Sequence, residues 1–128
     1  MNKMRKIAFA VVILTAAFLV GNVQSAYAQR GEGEMTWRGT VDDTIQVVIR
    51  NRNVRVKHIK GRTYNDDRFD FDGRAPRRNA NVSVDKKDGR GRVFIFQQPS
   101  RRNNYTTIVQ VEDPKGGADR YRFELRWN

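Results

Sequence analysis

The chain has 128 residues, with 25 Lys and Arg against 14 Asp and Glu for a net charge of +11, and it contains no cysteine. Disulfides are therefore excluded, and with His58 as the single histidine the usual Cys and His ligand set for zinc is lacking. A chain of this length makes one domain around its own hydrophobic core.

The first 28 residues have the three parts of a secretory signal. "MNKMRK" is the positive segment, Ile7–Val20 the apolar core, and "SAYA" (Ser25–Ala28) supplies small residues ahead of a cleavage point. The apolar core is 14 residues long, short of the roughly 18 that suggest a membrane-spanning helix. Cleavage after Ala28 is expected, which makes the protein secreted or periplasmic. It removes Lys3, Arg5 and Lys6 and lowers the charge from +11 to +8. No cysteine follows the apolar core, so lipid attachment through a lipobox cysteine is excluded. Residues 29–34 carry no pattern and are expected as a flexible leader, with one domain over 35–128.

Strands follow, read from alternation of apolar and polar side chains. "TIQVVIR" puts Ile45, Val47 and Ile49 on one face, and Val54 and Val56 mark the next strand. In "NDDRFDFDG" (Asn65–Gly73), Phe69 and Phe71 point inward while Asp70 and Asp72 face water. Val82 and Val84 mark a further strand. "RVFIFQ" (Arg92–Gln97) is apolar on both faces, which predicts a central strand covered on both sides. "YTTIVQVE" aligns Tyr105, Thr107, Val109 and Val111, and "RYRFELRW" aligns Tyr121, Phe123, Leu125 and Trp127. "NRN" (Asn51–Asn53), "KKDGRG" (Lys86–Gly91) and "EDPKGGAD" (Glu112–Asp119) separate them, with Asp88-Gly89 a strong hairpin signal. The prediction is an all-β fold, an antiparallel β-sandwich of about 7–8 short strands, with a small β-barrel as the alternative.

The segment "GRGRVFIFQQPSRRNNYTTIVQVEDPKGGADRYRFELRW", with "TWRGTVDD" near the start of the domain, resembles small exported bacterial proteins of uncharacterised function. That resemblance implies export and a compact β domain, and it assigns no functional residue.

Residue chemistry argues against catalysis. The serines beyond the signal, Ser83 and Ser100, have no G-x-S-x-G context, and His58 lies at a strand end among Lys57 and Lys60. The acidic stretch matches a calcium loop only in part. Arg68 stands where the first ligand belongs and Asn79 where the final Glu belongs. No cofactor and no metal site is expected; a small calcium-binding β domain ranks below the binding readings, and an enzyme ranks last.

The arginines carry the remaining signal. Beyond residue 28 there are 17 Arg and 5 Lys, a bias that fits anion binding through planar guanidinium forks and fits GC-rich coding equally well. In an antiparallel fold, loops separated by two strands emerge at the same end. The loop with Arg74, Arg77 and Arg78 and the loop with Arg101 and Arg102 are so separated, and are expected together as an anion-binding end. Arg52 joins them if Phe69–Asp72 is a strand. Lys86, Lys87, Asp88, Asp113, Lys115 and Asp119 collect at the other end as a mixed set. A focused positive end raises local anion concentration; exposed arginines also keep β proteins soluble and their edges unpaired. The expectation is an exported, non-catalytic binding or structural module whose partner is an envelope polysaccharide, a phospholipid surface or an acidic protein. The alternative is a nucleic-acid-binding β-barrel, for which Tyr64 and Tyr105 are the aromatics outside the core pattern.

Overall fold

Tyr121, Phe123, Leu125 and Trp127 are all buried in a computed structural model of the chain, which describes residues 32–77, 80–114 and 116–128. They line the last of eight strands: β1 (Gly33–Val41), β2 (Thr44–Arg50), β3 (Asn53–Lys60), β4 (Arg68–Gly73), β5 (Val82–Asp88), β6 (Arg92–Gln97), β7 (Thr106–Glu112) and β8 (Asp119–Trp127). One antiparallel sheet has the order β4-β1-β8-β5 and the other β3-β2-β7-β6. This is the expected β-sandwich, and its sheets do not close into a barrel. The expected signal segment 1–28 lies outside the described residues. Among the described residues no helix is long and apolar enough to cross a membrane.

Period-two patterning sets the register, because a one-residue slip would turn every core side chain outward. Met35 stands opposite Leu125, Trp37 opposite Phe123, and Val47 opposite Val109. The two inner faces meet in one core, in which the Trp37 and Phe123 rings stack with centroids 5.3 Å apart.

Phe69, expected to point inward with Phe71, is instead 45% exposed because β4 is an edge strand, and three further expectations need correction. β1 begins at Gly33, so Gly33 and Glu34 are strand residues rather than leader. A Cβ at Gly33 would lie 2.3 Å from the Arg74 carbonyl oxygen and within 3 Å of the Trp127 ring, and glycine leaves that space open. Secondly, β6 is an edge strand. Its Val93 and Ile95 pack on the core, but among the described residues no third layer covers the other face: Phe94 is half-buried beneath Arg92 and Phe96 is 56% exposed. A register shift between Ile95 and Gln97 interrupts this edge, a device that discourages pairing with other chains. Thirdly, Asp88-Gly89 is not a hairpin, since β5 pairs with β8 and β6 with β7. Gly89 does adopt φ +118°, and a Cβ there would lie 2.2 Å from the Tyr121 ring, so the turn chemistry is met while the chain crosses to the other sheet. Among the described residues, only β2–β3 and β6–β7 form hairpins between consecutive strands.

Candidate anion-binding loop end

Strand order and direction place three connections at one end of the sandwich. Within each sheet antiparallel pairing makes the even-numbered strands finish where the odd-numbered ones begin, and the short crossing at residues 42–43, which joins β1 to β2 at the opposite end, sets the two sheets in the same sense. Segments 51–52, 74–81 and 98–105 therefore share this end. The expected grouping of the Arg74 and Arg101 loops holds, and because Arg68–Gly73 is a strand, Arg52 joins them.

Each loop has its backbone held. In the 98–105 segment Pro99 is buried and has no N–H to offer a ladder. A short 3-10 turn, Arg101–Asn103, follows. The Asn103 side chain takes over backbone partners: its Oδ1 accepts from Ser100 N at 2.9 Å and Thr106 N at 3.0 Å, and its Nδ2 donates to Gln98 O at 2.8 Å. Asn104 and Tyr105 close the turn at φ +58° and +56°. In the 74–81 segment Ala75 and Pro76 are buried, Arg74 N donates to Glu32 O at 3.2 Å, and Arg74 O accepts from Trp127 Nε1 at 2.8 Å.

Side chains then tie the loops together. Gln98 meets both backbone groups of Val82, accepting from its N at 2.9 Å and donating to its O at 2.7 Å. Arg52 Nη1 donates to Gly73 O at 3.2 Å, with its guanidinium 5.5 Å above the Phe71 ring. The Arg50 guanidinium donates from Nε and Nη2 to the Asn104 amide oxygen.

What this frame leaves outward is guanidinium. Arg74, Arg77, Arg101 and Arg102 are exposed, and none of the four makes an ion pair among the described residues. Arg78 lies outside the described residues. Segments 51–52, 74–81 and 98–105 contain no Asp or Glu. Charge-assisted, bidentate contact to carboxylate, phosphate or sulfate is the chemistry such forks offer.

The opposite end is different in kind. Asp113, one of the mixed charges expected there, is a buried structural residue. Arg90 Nε and Nη2 each donate to its carboxylate at 2.8 Å, and the Tyr121 hydroxyl donates to it at 2.9 Å while accepting from Gly91 N at 2.8 Å. The Arg90 hydrogen bonds hold the Asp113 carboxyl below its ordinary 3.8, and Tyr121 is pushed up to about 12 by burial first and by the bond to Asp113 second. Sequence reasoning missed this network because its members are 8, 23 and 30 residues apart. Only the Asp-Pro and Gly-Arg-Gly turns mark their places.

The remaining candidates are dispersed. His58 is near the end of β3, while Ser83 and Ser100 are at the arginine end. Asp66 is engaged by the Thr40 backbone N–H at 3.0 Å and by the Thr40 hydroxyl, which keep its carboxyl low. Asp70 and Asp72 stand on β4 opposite Thr36 and Glu34. No group of three or more His, Cys, Asp or Glu among the described residues is placed to hold a metal. Comparison of the chain with protein-family models, with curated proteins and with solved structures gives no match.

Proposed function

We propose that this chain is an exported, non-catalytic binding module that engages an anionic polymer of the cell envelope through its arginine-bearing loop end. The observation that carries this reading is the convergence of Arg52, Arg74, Arg77, Arg101 and Arg102 on one end whose connecting segments hold no acid. The backbone beneath them is fixed by cross-loop hydrogen bonds, so binding need order only the side chains, which limits its entropic cost. Catalysis finds no support in the separation of His58 from both serines.

A resin bearing a carboxylated polysaccharide tests the reading. Arg101→Ser with Arg102→Ser should elute at lower salt than wild type, and adding Arg77→Ser should lower it further. The same removal of charge by Lys57→Ser with Arg62→Ser, away from this end, should change elution little. The urea midpoint of the Arg101/Arg102 variant should stay at the wild-type value, since both side chains are exposed. Equal losses in the two sets would mean that only net charge binds.

One observation favours a second reading, single-stranded nucleic acid. Phe96, 56% exposed at the β6 bulge, stands just before the arginine end and offers a face on which a base can stack. Phe96→Ala weakening oligonucleotide binding at matched salt, with polysaccharide retention unchanged, would favour it.

A further inference from the structure

The outer face of the β4-β1-β8-β5 sheet carries a second arginine constellation, formed by register rather than by loops. Arg38 on β1 stands directly opposite Arg68 on β4 and directly opposite Arg122 on β8. Trp37 and Phe123, the strand neighbours of Arg38 and Arg122, are buried, so alternation turns these two arginines away from the core, and Arg68, paired with Arg38, shares their face. Adjacent strands lie about 4.8 Å apart, which gives a row of three guanidinium-bearing positions about 10 Å long. Like charges directly opposite one another destabilise a sheet, and Arg38 has one on each side.

Internal partners relieve the outer members more than the centre. Arg68 Nη1 donates to Asp67 O at 2.9 Å, and Arg122 Nη2 is 3.7 Å from Glu124 Oε1. Arg38 is exposed and makes no hydrogen bond or ion pair through its side chain among the described residues. Two shallow grooves, of about 340 and 370 Å³, both have Arg38, Arg68 and Arg122 in their walls. Asp66, Asp70 and Asp88 also line these grooves. Asp66 is committed to Thr40, Asp70 belongs to the next row opposite Thr36, and Asp88 closes the arginine row on β5, opposite Arg122. The middle of the row is left to Arg38.

We propose that the Arg68–Arg38–Arg122 row is a compact oxyanion site that takes a phosphate or sulfate group, with Arg38 as its central ligand. A guanidinium fork consumes both oxygens of a carboxylate. A tetrahedral anion has oxygens left for a second fork one strand away, so two neighbouring arginines grip it where they would compete for a carboxylate. The anion also neutralises the repulsion along the row. The site is separate from the loop end in its residues, and it does not depend on the reading of that end.

The test is a titration of the ¹⁵N-labelled protein with sodium sulfate and with sodium acetate at constant ionic strength, following the Arg38 Nε–Hε resonance. Sulfate should give a saturable shift and acetate a weaker one. Arg38→Gln, at an exposed position, should lose the saturable sulfate response at Arg68 and Arg122 while its thermal midpoint without sulfate equals or exceeds that of wild type. Arg101→Ser with Arg102→Ser should retain the full response. Sulfate raises midpoints generally by exclusion from the surface, so the stabilisation that counts is the difference between wild type and Arg38→Gln in the same salt. A sulfated disaccharide binding more tightly than free sulfate identifies a polymer-borne group as the source; equal affinity identifies the free ion. A strictly linear response, saturation by acetate as strong as by sulfate, or a saturable response kept in Arg38→Gln would overturn the proposal.

Discussion

Trp127→Ala is expected to lower stability by about 3–5 kcal/mol, the range for truncating a buried large aromatic, and so to unfold in mild urea. The indole is 4% exposed, lies over Gly33, and meets the Phe71 ring edge-on at 6.3 Å. It also donates from Nε1 to Arg74 O at 2.8 Å. One side chain thus closes the core at the arginine end and anchors the loop that carries Arg74. Trp127→Phe separates these roles: most of the packing stays, and the lost hydrogen bond should cost only about 1 kcal/mol. A midpoint unchanged by the alanine substitution would mean that β8 frays at its end and that Trp127 closes nothing.

Asp113→Asn should be the most damaging change at the opposite end, costing about 3 kcal/mol near neutral pH, because it leaves the Arg90 and Tyr121 donors with a poorer acceptor in a buried place. The pH dependence has a definite sign. The folded carboxyl titrates below its ordinary 3.8, chiefly through the Arg90 hydrogen bonds. Its charged form therefore stabilises the fold fully above the ordinary value, and that contribution is lost as pH falls through the lower folded value. Urea midpoints of wild type and Asp113→Asn, compared from pH 7 to pH 2.5, should differ most at neutral pH and converge in acid. A constant difference would show that the ionised pair contributes nothing beyond the shape of the side chain.

Patterns local in sequence were legible and those set by strand register were not. Alternation along Tyr121–Trp127 identified a strand and its buried face, and loop parity in an antiparallel fold brought Arg74, Arg77, Arg101 and Arg102 to one end without any knowledge of strand order. Parity could not give the partner of each strand. Asp88-Gly89 has the chemistry of a tight turn, yet the chain beyond it joins the other sheet. "RVFIFQ" is apolar on both sides, and a central strand was the ordinary inference; the second face instead remains open at an edge. The Arg38, Arg68 and Arg122 row is invisible before register is known, because 30 and 54 residues separate Arg38 from Arg68 and Arg68 from Arg122. The Arg90–Asp113–Tyr121 network escaped for the same reason.

Polymer binding by the loop end can be read residue by residue from backbone amide shifts during titration with a carboxylated hexasaccharide, an anion that the Arg38 row should hold weakly. The largest saturable shifts should fall in residues 51–53, 74–81 and 98–105, and they should fade together as salt is raised, since the attraction is electrostatic. Shifts centred on Lys57 and the outer face of β3, or spread in proportion to exposed charge over the whole molecule, would contradict it.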